Sequence, residues 1–270
     1  MISIITPVFN GESHIEACLK NVIEQACPDL EHIVVDGKSD DDTVKIIAKY
    51  ADRYPHIRWI SEKDSGQSNA MNKGIALAKG EIIAILNVDD SYEPGVLNRV
   101  LEIISGLEGP SLIVGNCNVF DDEGKLLYVN KPSRLSLTDL LMGWSVHPHP
   151  VNPSAYFYHK SLHDIIGPYD EKNHFTMDLD FILNAVRIAD IRYFDEIWGN
   201  YRVLEETKTA KDQQSGKAIE RYNDILSSCL KKNPLAFQLK IHAFRTLIFF
   251  RKIIRKSLFR VLNVFTSPML

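Results

Sequence analysis

Gly80-Glu81-Ile82-Ile83-Ala84-Ile85-Leu86-Asn87-Val88-Asp89-Asp90 is the stretch on which the fold turns. The apolar run Ile82 to Leu86 has the length of a strand buried on both faces, and such strands belong to parallel sheets covered by helices. It runs straight into Asn87-Val88-Asp89-Asp90, which places two carboxylates at a strand end. In open α/β sheets, ligands bind at the carboxyl ends of strands.

Three similar units precede this one. Residues 2 to 6 are apolar and β-branched, stop at Pro7, and lead through Asn10-Gly11 into a helical pattern at Ile15, Leu19, Val22 and Ile23. His32 to Val35 ends on Asp36-Gly37, and a cluster of aspartates then precedes a helix with Val44, Ile46, Ile47 and Tyr50. Ile57 to Ile60 leads to Glu62-Lys63-Asp64-Ser65-Gly66-Gln67 and a helix over Ala70 to Ala78. The alternation predicts a mainly parallel sheet wrapped by helices, with four polar loops converging on one edge.

After residue 110 the pattern is more α+β. Strands are expected at Leu112 to Val114 and Leu126 to Val129 around an Asp121-Asp122-Glu123-Gly124 hairpin turn, and again at Ala155 to Tyr158. Helices are expected at Leu135 to Met142 and from about Asp178 to Ala189, with a His/Pro-rich loop at 147–153 between.

With 270 residues, 45% hydrophobic and 24% charged, the chain has the composition of an ordinary globular protein. Cys18, Cys27, Cys117 and Cys229 show neither zinc-ligand spacing nor a disulfide framework, and the strand-like opening argues against a secretory signal, so a reducing cytosol is expected. The net charge of -4 is split unevenly. No acidic residue follows Asp224, and the last 46 residues carry nine Lys/Arg.

Two groups of residues have chemistry to offer. Asp89 and Asp90 can share a hard divalent cation with phosphate oxygens; the plainer alternative is helix capping. Asp36 can accept a base N–H or a ribose hydroxyl while Phe9 stacks on a ring; the plainer alternative is an Asx turn. No GxGxxG follows the first strand, which removes the dinucleotide-binding reading.

Taken together, Thr6-Pro7-Val8-Phe9-Asn10, Ile33 to Thr43, Asp64-Ser65-Gly66-Gln67 with Ala70, Asn72, Lys73 and Gly74, Gly80 to Ile83 and Leu86 to Asp90 resemble family 2 glycosyltransferases of the GT-A fold. The match is strong over roughly the first 95 residues and looser to about residue 205. The resemblance implies an α/β, Rossmann-like sheet. It also implies inverting transfer from a nucleotide-diphospho-sugar, UDP-sugar favoured, assisted by Mg2+ or Mn2+.

Position by position, the resemblance assigns Pro7, Phe9, Glu12, Asp36, Gln67, Lys73, Asn87 and Val88 to nucleotide-sugar binding and Asp89 with Asp90 to the metal. Asp178 matches the catalytic base, with Asp180 the alternate; the plainer alternative is that Asp178 caps its helix. His149, Tyr201 and Arg202 fall where relatives approach the acceptor or the diphosphate. Two positions depart from the pattern: Asn87 replaces the first aspartate of a DxD-type motif, and Met71 stands where many relatives have arginine. No QxxRW follows, which favours single-sugar addition over polymer synthesis.

The expected layout is a catalytic domain at 1–224, with a nucleotide-sugar half (1–110) and an acceptor half (111–224), followed by a basic amphipathic helical tail at 225–270. On a helical wheel Lys240, Arg245, Arg251, Lys252, Arg255, Lys256 and Arg260 cover about 200° of arc, with Leu247, Phe250, Ile254, Val261 and Phe265 opposite. That pattern suits a helix lying on the anionic inner face of the cell membrane; packing on the catalytic domain or in a homodimer is the alternative. The expected acceptor is a glycan or lipid-linked molecule in polysaccharide or cell-surface glycan biosynthesis. Nucleic-acid binding is not expected, since no recognition motif accompanies the charge. A nucleotidyltransferase and an inactive sugar-nucleotide-binding homologue are the competing readings.

Overall fold

A computed structural model describes residues 1–107, 109–204 and 215–266, with the side chains of Phe249 and of residues 252 onward excepted. The first four strands, β1 (Ile2–Val8), β2 (Leu30–Asp36), β3 (Ile57–Ser61) and β4 (Ile82–Ile85), are parallel neighbours in the order β3-β2-β1-β4. Helices α1 (Ile15–Glu24), α2 (Thr43–Arg53) and α3 (Gln67–Leu77) make the crossovers. The four polar loops therefore emerge along one edge, as the sequence predicts.

Alternation along the strands sets the layers. Ile5, Ile33, Val35, Ile83 and Ile85 face α3, where they meet Ala70, Met71 and Ile75. Ile2, Ile4, Ile82 and Ala84 face the other way, toward Cys18 and Val22 of α1 and Leu97 and Val100 of α4 (Val96–Ile104). Contact on the α3 side is close: a Cβ on Gly74 would lie 2.3 Å from Ile5 Cγ2.

Beyond β4 the sheet becomes mixed. A two-residue strand, β5 (Ser91–Tyr92), is followed by β6 (Ser111–Phe120) and β7 (Leu126–Asn130), which form the expected hairpin; Gly124 takes φ +80° in its turn. A short helix, α5 (Leu137–Leu141), precedes β8 (Tyr156–His159), which inserts antiparallel between β4 and β6. After α6 (Ser161–Ile166) and α7 (Met177–Ala185), the long β9 (Asp190–Arg202) pairs parallel to β6 and antiparallel to β5. The full order is β3-β2-β1-β4-β8-β6-β9-β5, with β7 on β6. The sequence reading contains no strand at 190–202, no helix at α4 or α6, and only three residues of β6.

Two helices close the chain, α8 (Lys217–Lys231) and α9 (Leu235–Thr266). The position expected to separate domain from tail, residue 224, falls inside α8. Leu226 and Leu230 of α8 and Ile241 of α9 are buried in the α3-side core, joined by partly buried Phe237 and Ile248. Arg245 donates to the Leu141 carbonyl at 2.9 Å, at the carboxyl end of α5. Phe237, Ile241, Arg245 and Ile248 follow a four-four-three spacing, so α9 presents one face to the rest of the chain. That face lies on the basic side of the wheel. Leu239, Leu247 and Phe250, on the apolar side, are exposed. Lys252, Arg255, Lys256, Arg260, Ile254, Val261 and Phe265 lie outside the described side chains. No helix among the described residues is long and apolar enough to cross a membrane.

Candidate active site

The β1 and β2 loops are knitted to each other. Asn10 and Lys38 both adopt positive φ, 50° and 68°, and the Asn10 N–H donates to Ser39 Oγ while Asn10 Oδ1 accepts from the Asp40 N–H. The Glu12 carboxylate accepts from the Asp42 N–H at 3.0 Å, so Glu12 fastens these loops to each other. Pro7 is buried within β1 opposite Val35 and contributes backbone only. Phe9 is 64% exposed and stands beside Gly37, an open aromatic face at the rim.

Asp36 is fully buried. Its Oδ2 accepts from the Lys38 and Ser39 N–H groups at 3.0 and 3.1 Å and from Ser61 Oγ at 2.6 Å; its Oδ1 accepts from Ser39 Oγ. The Asx-turn geometry is therefore what the structure displays at this residue. A Cβ on neighbouring Gly37 would lie 2.7 Å from Asp64 Oδ2, so the β2 and β3 loops also close together.

The β4 loop divides its two aspartates. Asp90 is 4% exposed and turns inward, where Oδ2 accepts from Asn87 Nδ2 at 2.8 Å and Asn152 Nδ2 at 2.7 Å, and Oδ1 from the Arg202 N–H at 3.4 Å. Burial and the charge of Asp89 push its carboxyl well above the usual range. Asp90, expected beside Asp89 at the metal, thus holds the loop to the 152 and 202 segments. Asp89 is only half-buried. Its carboxyl is raised by burial, while the charges of His14 and Arg202 favour its ionised form. Val88 packs its side chain against Gly11 and the core.

Asn87 fits this arrangement. Its amide donates to Asp90 and its carbonyl accepts from Gln67 Nε2 at 2.8 Å. An ionised aspartate cannot donate and would crowd a buried carboxylate. Met71 is fully buried among apolar neighbours, where an arginine would bury a charge without a partner. Lys73 pairs with Glu62 at 2.8 Å and donates to the Lys63 carbonyl, so it braces the β3 loop. Among the described residues, Arg202 and His14 lie close enough to Asp89 to favour its charged form.

No cluster of three His, Cys, Asp or Glu suited to a metal occurs among the described residues. A cation would meet Asp89 as its protein carboxylate and complete its coordination with water and diphosphate oxygens, the way Mg2+ and its analogues bind at phosphate-transfer centres. The donor set fits that role.

Because β8 runs antiparallel to β4, Tyr156 starts β8 at the edge where β4 ends. The Tyr156 hydroxyl donates to Asp178 Oδ1 at 3.1 Å, so the first turn of α7 is brought to the same edge. Burial raises the Asp178 carboxyl to about 6, and the tyrosine bond works against that rise. Asp180 points the other way, into a charged cavity of about 480 Å³ shared with Asp170, Arg221 and Lys232. The loop before α7 is braced by α3 and the turn that leads into it: Asn72 exchanges hydrogen bonds with Tyr169, Asn69 and Ser65 donate to Glu171, and Ser68 donates to the Asn173 carbonyl.

His149 does not face this edge. It is 2% exposed, bonded to the Leu140 carbonyl at 2.9 Å and to the Tyr222 hydroxyl, and burial depresses its ring. It is a structural histidine. Tyr201 pairs with Val119 at the end of β9, and Arg202 beside it is exposed. The sequence reading gives His14 no role, and places Asn152 only in the His/Pro-rich loop and Tyr156 only in a strand; nothing in their spacing marks them further, since each acts through a partner distant in sequence.

Comparison with known proteins agrees with this geometry. Residues 3–165 match the family described as Glycosyl transferase family 2. An uncharacterized glycosyltransferase of Rickettsia prowazekii is 29% identical over 244 residues, covering 86% of this chain and 72% of that protein. One of Mycobacterium tuberculosis is 34% identical over 191 residues, 70% of each. Of the Rickettsia bellii relative, 29% identical, this chain spans about a third, 34%. Among solved structures, Staphylococcus aureus TarS 1–349 in complex with UDP-GlcNAc superposes with a TM-score of 0.67 at 18% identity, over 89% of this chain and 70% of that one. A Pyrobaculum calidifontis mannosyltransferase in complex with GDP-Man and Mn2+ gives 0.55 at 16% identity, over 92% and 80%. These likenesses establish a GT-A-like fold, and the family match over more than half its length shows that the chain belongs to glycosyltransferase family 2.

Proposed function

We propose that the chain transfers a sugar from a nucleotide-diphospho-sugar, UDP-linked by preference, to a glycan or lipid-linked acceptor with inversion, using Asp89 at the cation and Asp178 as base. The observation that carries this reading is the juxtaposition at one sheet edge of a half-buried aspartate at the end of β4 and a second aspartate raised to about 6 at the start of α7. The UDP-GlcNAc complex of TarS and the GDP-Man and Mn2+ complex of the mannosyltransferase support the donor class and the metal.

In this mechanism the acceptor hydroxyl attacks the anomeric carbon from the face opposite the diphosphate. Its proton passes to Asp178, the new glycosidic bond forms, and the nucleoside diphosphate leaves with the electron pair of the broken C–O bond. A bound divalent cation supplies charge neutralisation at the diphosphate. Arg202 adds positive charge on the same side, and Asp90, held by Asn87 and Asn152, keeps Asp89 in place. Phe9 offers its exposed face to the nucleobase. Apposition of α9 to an anionic membrane surface belongs to the same proposal, on the strength of the basic tail and its exposed apolar stripe.

The test is release of nucleoside diphosphate from UDP-sugars with Mn2+ by the wild type, Asp89→Ala and Asp178→Ala. Metal-dependent release that both variants lose supports the assignment. Equal release by all three overturns it, and none from the wild type with any donor leaves the inactive-homologue reading standing.

A further inference from the structure

Helix α8 has a cavity on each side, and the two differ in chemistry. The one shared with Asp170, Asp180, Arg221 and Lys232 is charged. The other, about 710 Å³, lies between the 142–146 turn, α8 and α9, and is lined by Met142, Trp144, Val146, Ile219, Leu226 and Ile248. We propose that this second cleft is a slot for a single hydrocarbon chain, the lipid portion of a lipid-linked acceptor.

Three observations carry the assignment. The polar groups deep in the cleft are satisfied by the protein: the Tyr222 hydroxyl accepts from the Trp144 N–H at 2.7 Å and contacts His149, and Arg245 donates to the Leu141 carbonyl. A saccharide would find few partners there, whereas an alkyl chain needs none. Polar lining that remains open to solvent, Asn223 and Ser227, lies on the exposed side of α8, which suits a ligand with an apolar body and a polar end. The third is size, a cleft of about 710 Å³. Small-ligand pockets of roughly 300–1,000 Å³ with mainly apolar linings are the matching class.

Position and charge select the source of the chain. Trp144 stacks on His149, whose carbonyl accepts from Asn130, and three residues further along the same loop Asn152 holds Asp90. The cleft and the β4 loop therefore share one connecting segment. The α9 helix that walls the cleft exposes Leu239, Leu247 and Phe250 on its far side with Lys240 and Arg251 beside them, in a region with no acidic residue, a surface complementary to an anionic bilayer. The acceptor role rests on the glycosyl-transfer reading; occupancy by a chain does not.

The experiment reads Trp144, 41% exposed at the cleft, in full-length Trp59→Phe protein, where the remaining tryptophan, Trp198, is buried in the opposite layer. A 12-bromododecyl glucoside is titrated below its micellar concentration. The expected result is saturable quenching that glucose does not compete, with affinity at least tenfold weaker when Ala218→Phe narrows the slot or Ile219→Arg charges its mouth. Both positions are incompletely buried, and retained thermal midpoints show the variants to be folded. Non-saturable quenching, or quenching unchanged in both variants, overturns the proposal. So does quenching seen only with vesicles of brominated anionic phospholipid, which assigns the surface to the bilayer, or concentration-dependent dimerisation that Ile219→Arg abolishes, which assigns it to a second copy. Donor hydrolysis measured in parallel separates the two readings: quenching without hydrolysis keeps the slot and removes the transferase, and hydrolysis without quenching does the reverse.

Discussion

Asp178 is under two opposed demands. As a base it must be ionised, yet burial holds its carboxyl near 6. Transfer rate should therefore rise as pH increases through about 6 and level off above it, and Asp178→Asn should lower kcat on the order of 10²- to 10⁴-fold with donor KM little changed. The same burial works against folding. Since the folded carboxyl binds its proton more tightly than the unfolded one, stability declines as pH rises from about 4 to about 6 and stays lower beyond. Asp178→Asn, which can still accept from Tyr156, should thus be more stable than wild type at pH 7.5 by about 1–3 kcal/mol, read as a higher urea midpoint. A destabilised Asp178→Asn would contradict this account. Asn152→Ala removes one of the donors to buried Asp90 and should cost about 1–3 kcal/mol. At this scale the sequence marks the aspartates as candidates, but not the hydrogen bonds that bury Asp90 and tie Asp178 to Tyr156. Glu12, Lys73 and His149 are polar residues in suggestive places, and each is committed to a partner at least ten residues away or to a backbone carbonyl, a contact that local spacing does not encode.

At the level of elements, β2 contains a group whose response to acid runs the other way. His32 is fully buried, accepts or donates one bond with Thr6 across β1, and leaves Nδ1 without a partner among the described residues. Burial, with His56 nearby, lowers its ring to about 3. The unfolded chain takes up a proton below about 6.5 that the folded one refuses. Its contribution is therefore intact above that pH and is lost progressively toward 3. Between pH 6.5 and 5 the wild type should lose about 2 kcal/mol relative to His32→Gln, measured by urea titration at each pH. Packing of α3 on β1 is equally specific: Gly74→Ala places a methyl against Ile5 and should cost about 1–3 kcal/mol. β1, β2 and β4 were readable as short apolar runs buried on both faces, and α1 and α2 by the helical spacing of their apolar residues. In contrast, β9 intersperses Asp190, Arg192, Asp195 and Glu196 among its apolar residues, and five of its thirteen positions are exposed, so no apolar run announces a strand. Only pairing with β6 makes it one.

For the whole molecule, the basic tail was legible as a helix with two chemistries, but not as one docked through its basic side. Removing α9 would take Ile241, Phe237 and Ile248 out of the core that holds Leu226, Leu230 and Leu140, so truncation mixes stability with any surface function. Point changes on the outer face avoid this. Leu239→Glu with Leu247→Glu should weaken binding to anionic vesicles at least tenfold, with the thermal midpoint moved by no more than about 2 °C. Binding that is unchanged and insensitive to salt would sink the membrane assignment.

The insertion of β8 between β4 and β6 also has a temporal consequence. Leu112 pairs with Tyr158, so the apolar start of β6 leaves the ribosome 46 residues ahead of the strand that covers its edge, and its other partner, Ile191, comes later still. At about 5–20 residues per second that is an interval of roughly 2 to 9 seconds. For that time the four-stranded parallel half ends in an unfilled seam at β4. The nascent chain must keep Leu112-Ile113-Val114 from pairing elsewhere, which makes the completion of this sheet, more than the stability of either half, the step at which holding by a chaperone would change the yield of folded protein.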